Sequence, residues 1–494
     1  MSFRPWLRSG NVDVNNVQAT SQEAVRLLVR ADWDLFKTYA RRVRTFGPFG
    51  DCDDTWFYDL EQTPPDMVPL LPNIKVLCWA GFNSFSRTFG FLRLFLSPTV
   101  ERLHIAVSEH EVHDDLVVLA LAPLSCPNVR DVKLVDYELV DNIPASKSIY
   151  YFSQVLCQWT HLTNLICDRV TDDALVHLAQ MQSLARLDIV LGRKESLGDV
   201  RSRVSGTPFP SLTYCRISCD NVFHPIAFIT KMQLSPVELL VVCHFPDQSS
   251  TIEQLFGPLS THPSRRELER FDIHSSKACF NLPARDAPSC PLEETLTIAR
   301  LRPLLSFSRL RLLYINVPIE ITLNDSDIIE LAHAFPLLEE LSLNGGVNLT
   351  EDPLGSWVEQ SWHRIPHRFA IGWLVRPRVT FRGLYALIES CPCLRGLGIS
   401  FDAEQNLDEV PDEVLSPNRH IQYLPVGNSP CGDPEVVARR LRSVLPNVTR
   451  IMGNWSPWKG KSNVDSMVKQ RRVAGDRWDE VERLLNNEAQ TSGI

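Results

Sequence analysis

Two rhythms of apolar and polar positions meet within Asp325–Asn344, DSDIIELAHAFPLLEELSLN. In the first half, Ile328, Ile329, Leu331 and Ala332 recur at the spacing of one helical side. Asp325 or Ser326 can cap that helix by accepting a backbone N–H. Pro336 stops it, because proline has no N–H to donate and its ring clashes with the preceding turn. In the second half, Leu338, Leu341 and Leu343 follow L-x-x-L-x-L spacing. In a strand, Leu341 and Leu343 point to one face, and Glu340, Ser342 and Asn344 to the other. One helix–strand unit cannot bury its apolar face alone, so the pattern predicts a copy on each side.

The copies are present. They read SPTVERLHI (97–105), CPNVRDVKL (126–134), WTHLTNLIC (159–167), MQSLARLDI (181–189) and FPSLTYCRI (209–217). They continue as LSPVELLVV (234–242), RRELERFDI (265–273), FSRLRLLYI (307–315), FPLLEELSL (335–343) and CPCLRGLGI (391–399). LPNIKVLCW (71–79) reads as a degenerate first copy and LPNVTRI (445–451) as a last one. The first apolar positions fall at 74, 100, 129, 162, 184, 212, 237, 268, 310, 338 and 394. Most steps lie in or near the range of about 20–29 residues of a leucine-rich repeat. The helix-then-strand order is clearest in TDDALVHLAQMQSLARLDI (171–189) and TFRGLYALIESCPCLRGLGI (380–399).

An ordinary α/β sheet also has Leu/Val-rich buried strands. Recurrence in a fixed phase, with no Gly-rich turns, favours a solenoid. The predicted fold is α/β: a leucine-rich-repeat horseshoe with a parallel sheet on the concave face, helices on the convex face and an N-terminal helical cap. Its register buries Leu187, Leu341 and Leu397 and turns Arg186, Glu340 and Gly396 to the open side.

The expected organisation has a disordered N-terminus (1–19), a helical cap (20–50), the repeat array (51–451) and a basic, Trp-containing tail with a terminal helix (452–494). In the cap, Thr20 and Glu23 have capping-box spacing and open a helix through Glu23–Arg30. Trp33, Phe36, Ala40 and Val43 make one helical face of DWDLFKTYARRVRTF (32–46), ended by Gly47-Pro48. Two loop excursions interrupt the array. SSKACFNLPARDAPSCP (275–291) is one; 345–379, with Trp357, Trp362 and Trp373, is the other. The step from 338 to 394 is twice 28, so 345–379 either hides a repeat or is an insertion that leaves the horseshoe. Residues 408–433 are Pro-rich and loop-like. Pro434 then opens a helix, and Trp478, Val481 and Leu485 form a helical stripe in 476–488.

With DWDLFKTYARRVRTF, the irregular Leu-rich array and CPCLRGLGISFDA, residues of about 25–490 resemble the F-box/leucine-rich-repeat proteins of mushroom-forming fungi. The units TDDALVHLAQ and TFRGLYALIESCPCL are similar to the repeats of that wider family. An F-box is a three-helix module beginning near a Leu-Pro and ending near a Trp, and Met1–Ser21 has no match to it. The resemblance implies a substrate-recognition subunit of a cullin-type ubiquitin ligase, reached through a Skp-type adaptor wherever an F-box precedes the array. The alternative is an F-box-less scaffold with no part in ubiquitination.

Composition narrows the partners. A net charge of −9 and a pI near 5.8 argue against a general nucleic-acid or anionic-membrane binder. The start, MSFRPWLRSG, lacks the apolar run of a signal peptide, and LVVLALAPL (116–124) is too short to span a bilayer. Thirteen irregularly spaced cysteines, several in strand motifs (Cys78, Cys167, Cys215, Cys243), read as buried reduced thiols of a cytoplasmic or nuclear protein. In that setting the sequons at Asn324, Asn348, Asn447 and Asn454 carry no glycan.

No catalytic, cofactor or metal site is expected. GKS (460–462) has Trp455 where a phosphate loop needs glycine. EHEVHDD (109–115) lacks H-E-x-x-H spacing, and Pro366 separates His363 from His367. A direct Cys391–Cys393 disulfide would be strained. The basic run of Lys459, Lys461, Lys469, Arg471 and Arg472 reads as a solvated tail.

What remains is a binding surface for protein targets. The open strand face carries Arg102, His104, Asp131, Lys133, Arg186, Asp188, Tyr214 and Arg216, then Arg270, Asp272, His274, Tyr314, Asn316, Glu340 and Ser342. Arg and Tyr are the residue types enriched at interface anchors. Tyr214, Arg216, Arg270 and Tyr314 are the expected anchors; Glu330 and Arg382 belong to the helix side.

Overall fold

The structure, a computed structural model, describes residues 29–47, 60, 62–79, 89–107, 117–136, 147–192, 197–219, 223–243, 250–261, 267–275, 295–317, 321–344, 376–405, 416–453 and 465–491. The chain divides into two compact units. One comprises residues 1–185 with 209–211, the other 186–208 with 212–494.

The first unit contains the parallel strands β1 (Thr45–Phe46), β2 (Val76–Trp79), β3 (Arg102–Val107), β4 (Asp131–Asp136) and β5 (Asn164–Cys167), each hydrogen-bonded to the next. The apolar positions of the repeat form its core: Ile74, Leu77, Val100, Leu103, Val129, Val132, Leu162 and Leu165 are all buried. The residue just before the first apolar position of several repeats is a short polar one that ties back to the preceding repeat. Asn73 Nδ2 donates to Arg41 O (2.8 Å), Thr99 Oγ1 to Pro72 O (3.0 Å), Asn128 Nδ2 to Pro98 O (2.8 Å) and Ser183 Oγ to Leu162 O (2.7 Å). These bonds satisfy loop carbonyls that the strand ladder cannot reach.

The expected cap is corrected in one respect. The helix Arg30–Ala40 buries Trp33 and Ala40 but stops before Val43, and Thr45–Phe46 is β1, not helix. The Arg44 carbonyl accepts from the N–H groups of Lys75 (2.7 Å) and Val76 (3.0 Å), and Phe46 stacks on Phe95 at 4.6 Å. This segment therefore does the work of a preceding repeat strand. The predicted helix Glu23–Arg30 lies outside the described residues up to residue 28.

The second unit contains the parallel strands β6 (Arg186–Leu191), β7 (Tyr214–Cys219), β8 (Glu238–Cys243), β9 (Arg270–Ser275), β10 (Leu312–Asn316), β11 (Glu340–Leu343) and β12 (Gly396–Ile399), paired in chain order. Leu187, Leu341 and Leu397 are buried, as the register requires. Glu340 of β11 pairs directly with Gly396 of β12, so no hidden repeat strand stands between them; of the expected excursion, 345–375 lie outside the described residues. Both Glu340 and Gly396 are buried on their face, not open.

Two further strands, β13 (Tyr423–Gly427) and β14 (Arg450–Gly453), form a separate parallel pair. β13 falls in the stretch predicted as loop. Its Ile421, Leu424 and Val426 are buried at the repeat spacing, and 394, 421 and 448 are evenly separated first positions. The tail helix Asp465–Thr491 buries Trp478, Val481 and Leu485. Trp478 Nε1 donates to Ser429 O at 2.9 Å, and its ring meets Phe401 edge-on at 5.8 Å.

Helix capping in this unit also departs from expectation. Asn324, not Asp325 or Ser326, caps the helix Asp325–Ala334, its Oδ1 accepting from Asp327 N at 3.1 Å. Asp325 reaches across to the next helix, Phe381–Ser390. It accepts from Thr380 N (2.7 Å), Thr380 Oγ1 (2.8 Å) and Gly383 N (3.0 Å). Gly383 makes room for it: a Cβ there would lie 2.5 Å from Asp325 Oδ1.

Candidate functional site

Parallel pairing without slippage places equivalent residues of successive strands side by side, about 4.8 Å apart. The open face of each unit is therefore a set of rows.

In the first unit, Arg102 is exposed, His104 and Asp131 are half-buried, and Lys133 is buried. His104 stands in register between Cys78 of β2 and Lys133 of β4. Its Nδ1 lies 3.5 Å from Cys78 Sγ and its Nε2 3.9 Å from Asp131 Oδ1. Burial opposes charge on the imidazole. Hydrogen bonds to Asp131 and Cys78, and their negative charge, more than offset it, and the His104 pKa is pushed up to about 9. Cys78, expected to be buried, is half-buried on the open face, whereas Cys167, Cys215 and Cys243 are buried as expected.

In the second unit one row runs Arg186, Tyr214, Glu238, Arg270, Leu312, Glu340. The next runs Asp188, Arg216, Leu240, Asp272, Tyr314, Ser342. Opposite charges meet along and between them. Arg186 lies over the Tyr214 ring at 4.0 Å, and Arg216 Nη1 is 3.6 Å from Asp188. Arg270 bridges Glu238 (3.7 Å) and Asp272 (3.6 Å), and its guanidinium stands 5.7 Å from the Tyr314 ring centre. His274 Nδ1 is 3.3 Å from Asp272 Oδ1, and Ser342 Oγ donates to Asn316 Oδ1 at 3.0 Å. The Tyr314 hydroxyl donates to Glu340, whose other oxygen lies 3.5 Å from Arg395 Nε.

This network corrects the expectation that these residues all stand on an open face. Arg186, Asp188, Tyr214, Arg216, Arg270 and Asn316 are half-buried. Asp272 and Tyr314 are each 1% exposed, and His274, Glu340 and Ser342 are buried too. Mutual pairing makes their burial tolerable. Burial alone would raise the Asp272 pKa, but the bond with His274 and the charges of His274, Arg270 and Arg216 hold it below the usual carboxylate range. Burial, then the Glu340 carboxylate, pushes the Tyr314 phenol well above its ordinary value. Tyr314 is thus a buried member of the network, not a free anchor.

Glu238 was missed because its repeat reads one residue out of phase. Pro236, not Val237, fills the first apolar position, and Leu240 and Val242 are buried on the open face, which erases the alternation. A second missed feature is a row of alternating charge just before the strands, Glu269, Arg311, Glu339 and Arg395, joined by ion pairs (Arg311–Glu269 3.6 Å, Arg395–Glu339 2.6 Å). On the helix side, Glu330 pairs with Arg302 at 3.1 Å and Arg382 is exposed.

The 109–115 cluster, His363, His367, the GKS stretch and the side chains of the basic run lie outside the described residues. Cys391 is buried and Cys393 exposed, both as free thiols. Among the described residues no group of three or more His, Cys, Asp or Glu could hold a metal ion, and no helix is long and apolar enough to cross a membrane. The sequence matches no protein-family model and no curated protein.

Proposed function

We propose that this chain is a protein-recognition module that holds a protein target on the strand face of β6–β9, in the manner of the substrate receptor of a Skp–cullin ubiquitin ligase. The observation that carries the reading is the Arg186–Tyr214–Arg216–Glu238 patch. Its side chains are half-buried, so they offer surface to a partner, and the stack and ion pairs already fix their rotamers. A target docking there loses little side-chain entropy at the anchors. Arg and Tyr at the centre of an extended face are the usual carriers of binding energy.

The test begins with affinity capture by the full chain and measurement of binding to the captured target. Tyr214→Ala and Arg216→Ala are each expected to weaken binding by about 1–3 kcal/mol, and Glu330→Ala to leave it unchanged. Equal, small effects at all three would remove the site from this face. Co-capture of a Skp-type adaptor and a cullin with the target supports delivery to ubiquitination. A target held without them supports the scaffold reading.

A further inference from the structure

Cys78, His104 and Asp131 come from three successive strands, β2, β3 and β4, and meet on the open face of the first unit. The order is that of an activated nucleophile: a thiol within reach of an imidazole (3.5 Å), and the far nitrogen of that imidazole turned to a carboxylate (3.9 Å). Among the described residues, Lys133 lies in register beside His104, and Arg102 is on the same strand. Access is available as well. Cys78 is half-buried, and since Phe46 pairs with Leu77, the position beside it on the β1 side is Gly47, which has no side chain.

We propose that Cys78 is a reactive thiol that undergoes thiol–disulfide exchange with low-molecular-weight disulfides, with the His104 imidazolium as the partner of its sulfur and Asp131 as the positioning residue. With the proton on His104 Nδ1, the Cys78 sulfur attacks as a thiolate on one sulfur of the small disulfide. That S–S bond breaks, a new one forms to Cys78, and the second sulfur leaves as a thiolate. Cys78 is oxidised, the departing sulfur is reduced, and no other redox partner is needed. That imidazolium lies between two acceptors, Cys78 and Asp131, in keeping with the raised pKa of His104. Among the described residues, burial pushes the Cys126 and Cys391 thiols up to about 11.

The test treats the full chain with glutathione disulfide near pH 6 and follows each cysteine by peptide mass spectrometry. The exposed Cys393 serves as an internal reference. Cys78 should react about fivefold faster than Cys393, since the attacking sulfur has the His104 imidazolium beside it and Cys393 has no such partner among the described residues. His104→Gln should bring the two rates together while leaving that of Cys393 unchanged, which also reports that the fold is intact. Asp131→Asn, a milder change of shape, should give a smaller slowing at Cys78 alone. Equal rates for Cys78 and Cys393 in the native chain, or a Cys78 rate indifferent to both substitutions, would overturn the proposal.

Discussion

The open strand faces of the two units follow the same repeat rule and differ in how they treat charge. On β3 and β4, His104 and Asp131 stand half-buried, with a loose 3.9 Å between them. On β6–β11 charges of both signs alternate along two rows interrupted by Leu312 and Leu240, and Asp272, Tyr314 and Glu340 are almost wholly withdrawn from water. The first arrangement leaves individual groups free to change protonation or react. The second trades that freedom for rigidity, since a buried charge is tolerable only while its partners stay in place.

The largest test of this contrast is Asp272→Ala. It leaves Arg270 and His274 without their shared carboxylate in a buried setting and should cost about 3–5 kcal/mol by urea unfolding. A loss below 1 kcal/mol would mean that the rows are surface pairs after all.

Next comes pH. The His104 pKa is raised from 6.5 to about 9, so its stabilising contribution is complete below about 6.5 and disappears as pH rises through about 9. A decline of about 1–3 kcal/mol across that window is expected, and it should vanish in His104→Gln. A decline that persists in the variant would locate it elsewhere.

Tyr314→Phe removes one donor from Glu340 but leaves Arg395 beside it, and should cost about 1–2 kcal/mol. The smallest effect belongs to the counterpart of Asp272 in the first unit. Asp131→Ala should cost about 1 kcal/mol or less, and a cost equal to that of Asp272→Ala would erase the distinction between the faces.

The repeat itself was legible because its signal is local. Each buried position, such as Leu187 or Leu397, is specified by its own segment. Errors arose where two signals competed. RVRTF continues the apolar face of Trp33, Phe36 and Ala40 at Val43, which reads as helix, but its carbonyl bonds to β2 make it a strand. β13 was hidden because Pro425 and the acidic stretch upstream outweigh Ile421, Leu424 and Val426 in any reading by composition. For the candidate site, sequence phase placed Arg216 and Asp188 on the correct face. It could not show that Tyr314 would be buried, since that depends on Glu340 and Arg270 two strands apart from each other. The Cys78–His104–Asp131 group was invisible for the same reason, its members being separated by 26 and 27 residues and joined only by register.

The carboxylate of Asp325 carries a consequence for anyone who would recombine this chain. Repeat proteins invite cutting between units and grafting them elsewhere, on the assumption that each repeat brings its own helix caps. Here the cap for Thr380 and Gly383 is supplied by the preceding repeat, and the clearance at Gly383 is cut to fit it. The two segments 324–344 and 380–399 therefore form one exchangeable module. A junction placed between them would strand an acid on one side and bare N–H groups on the other, however well the leucines matched.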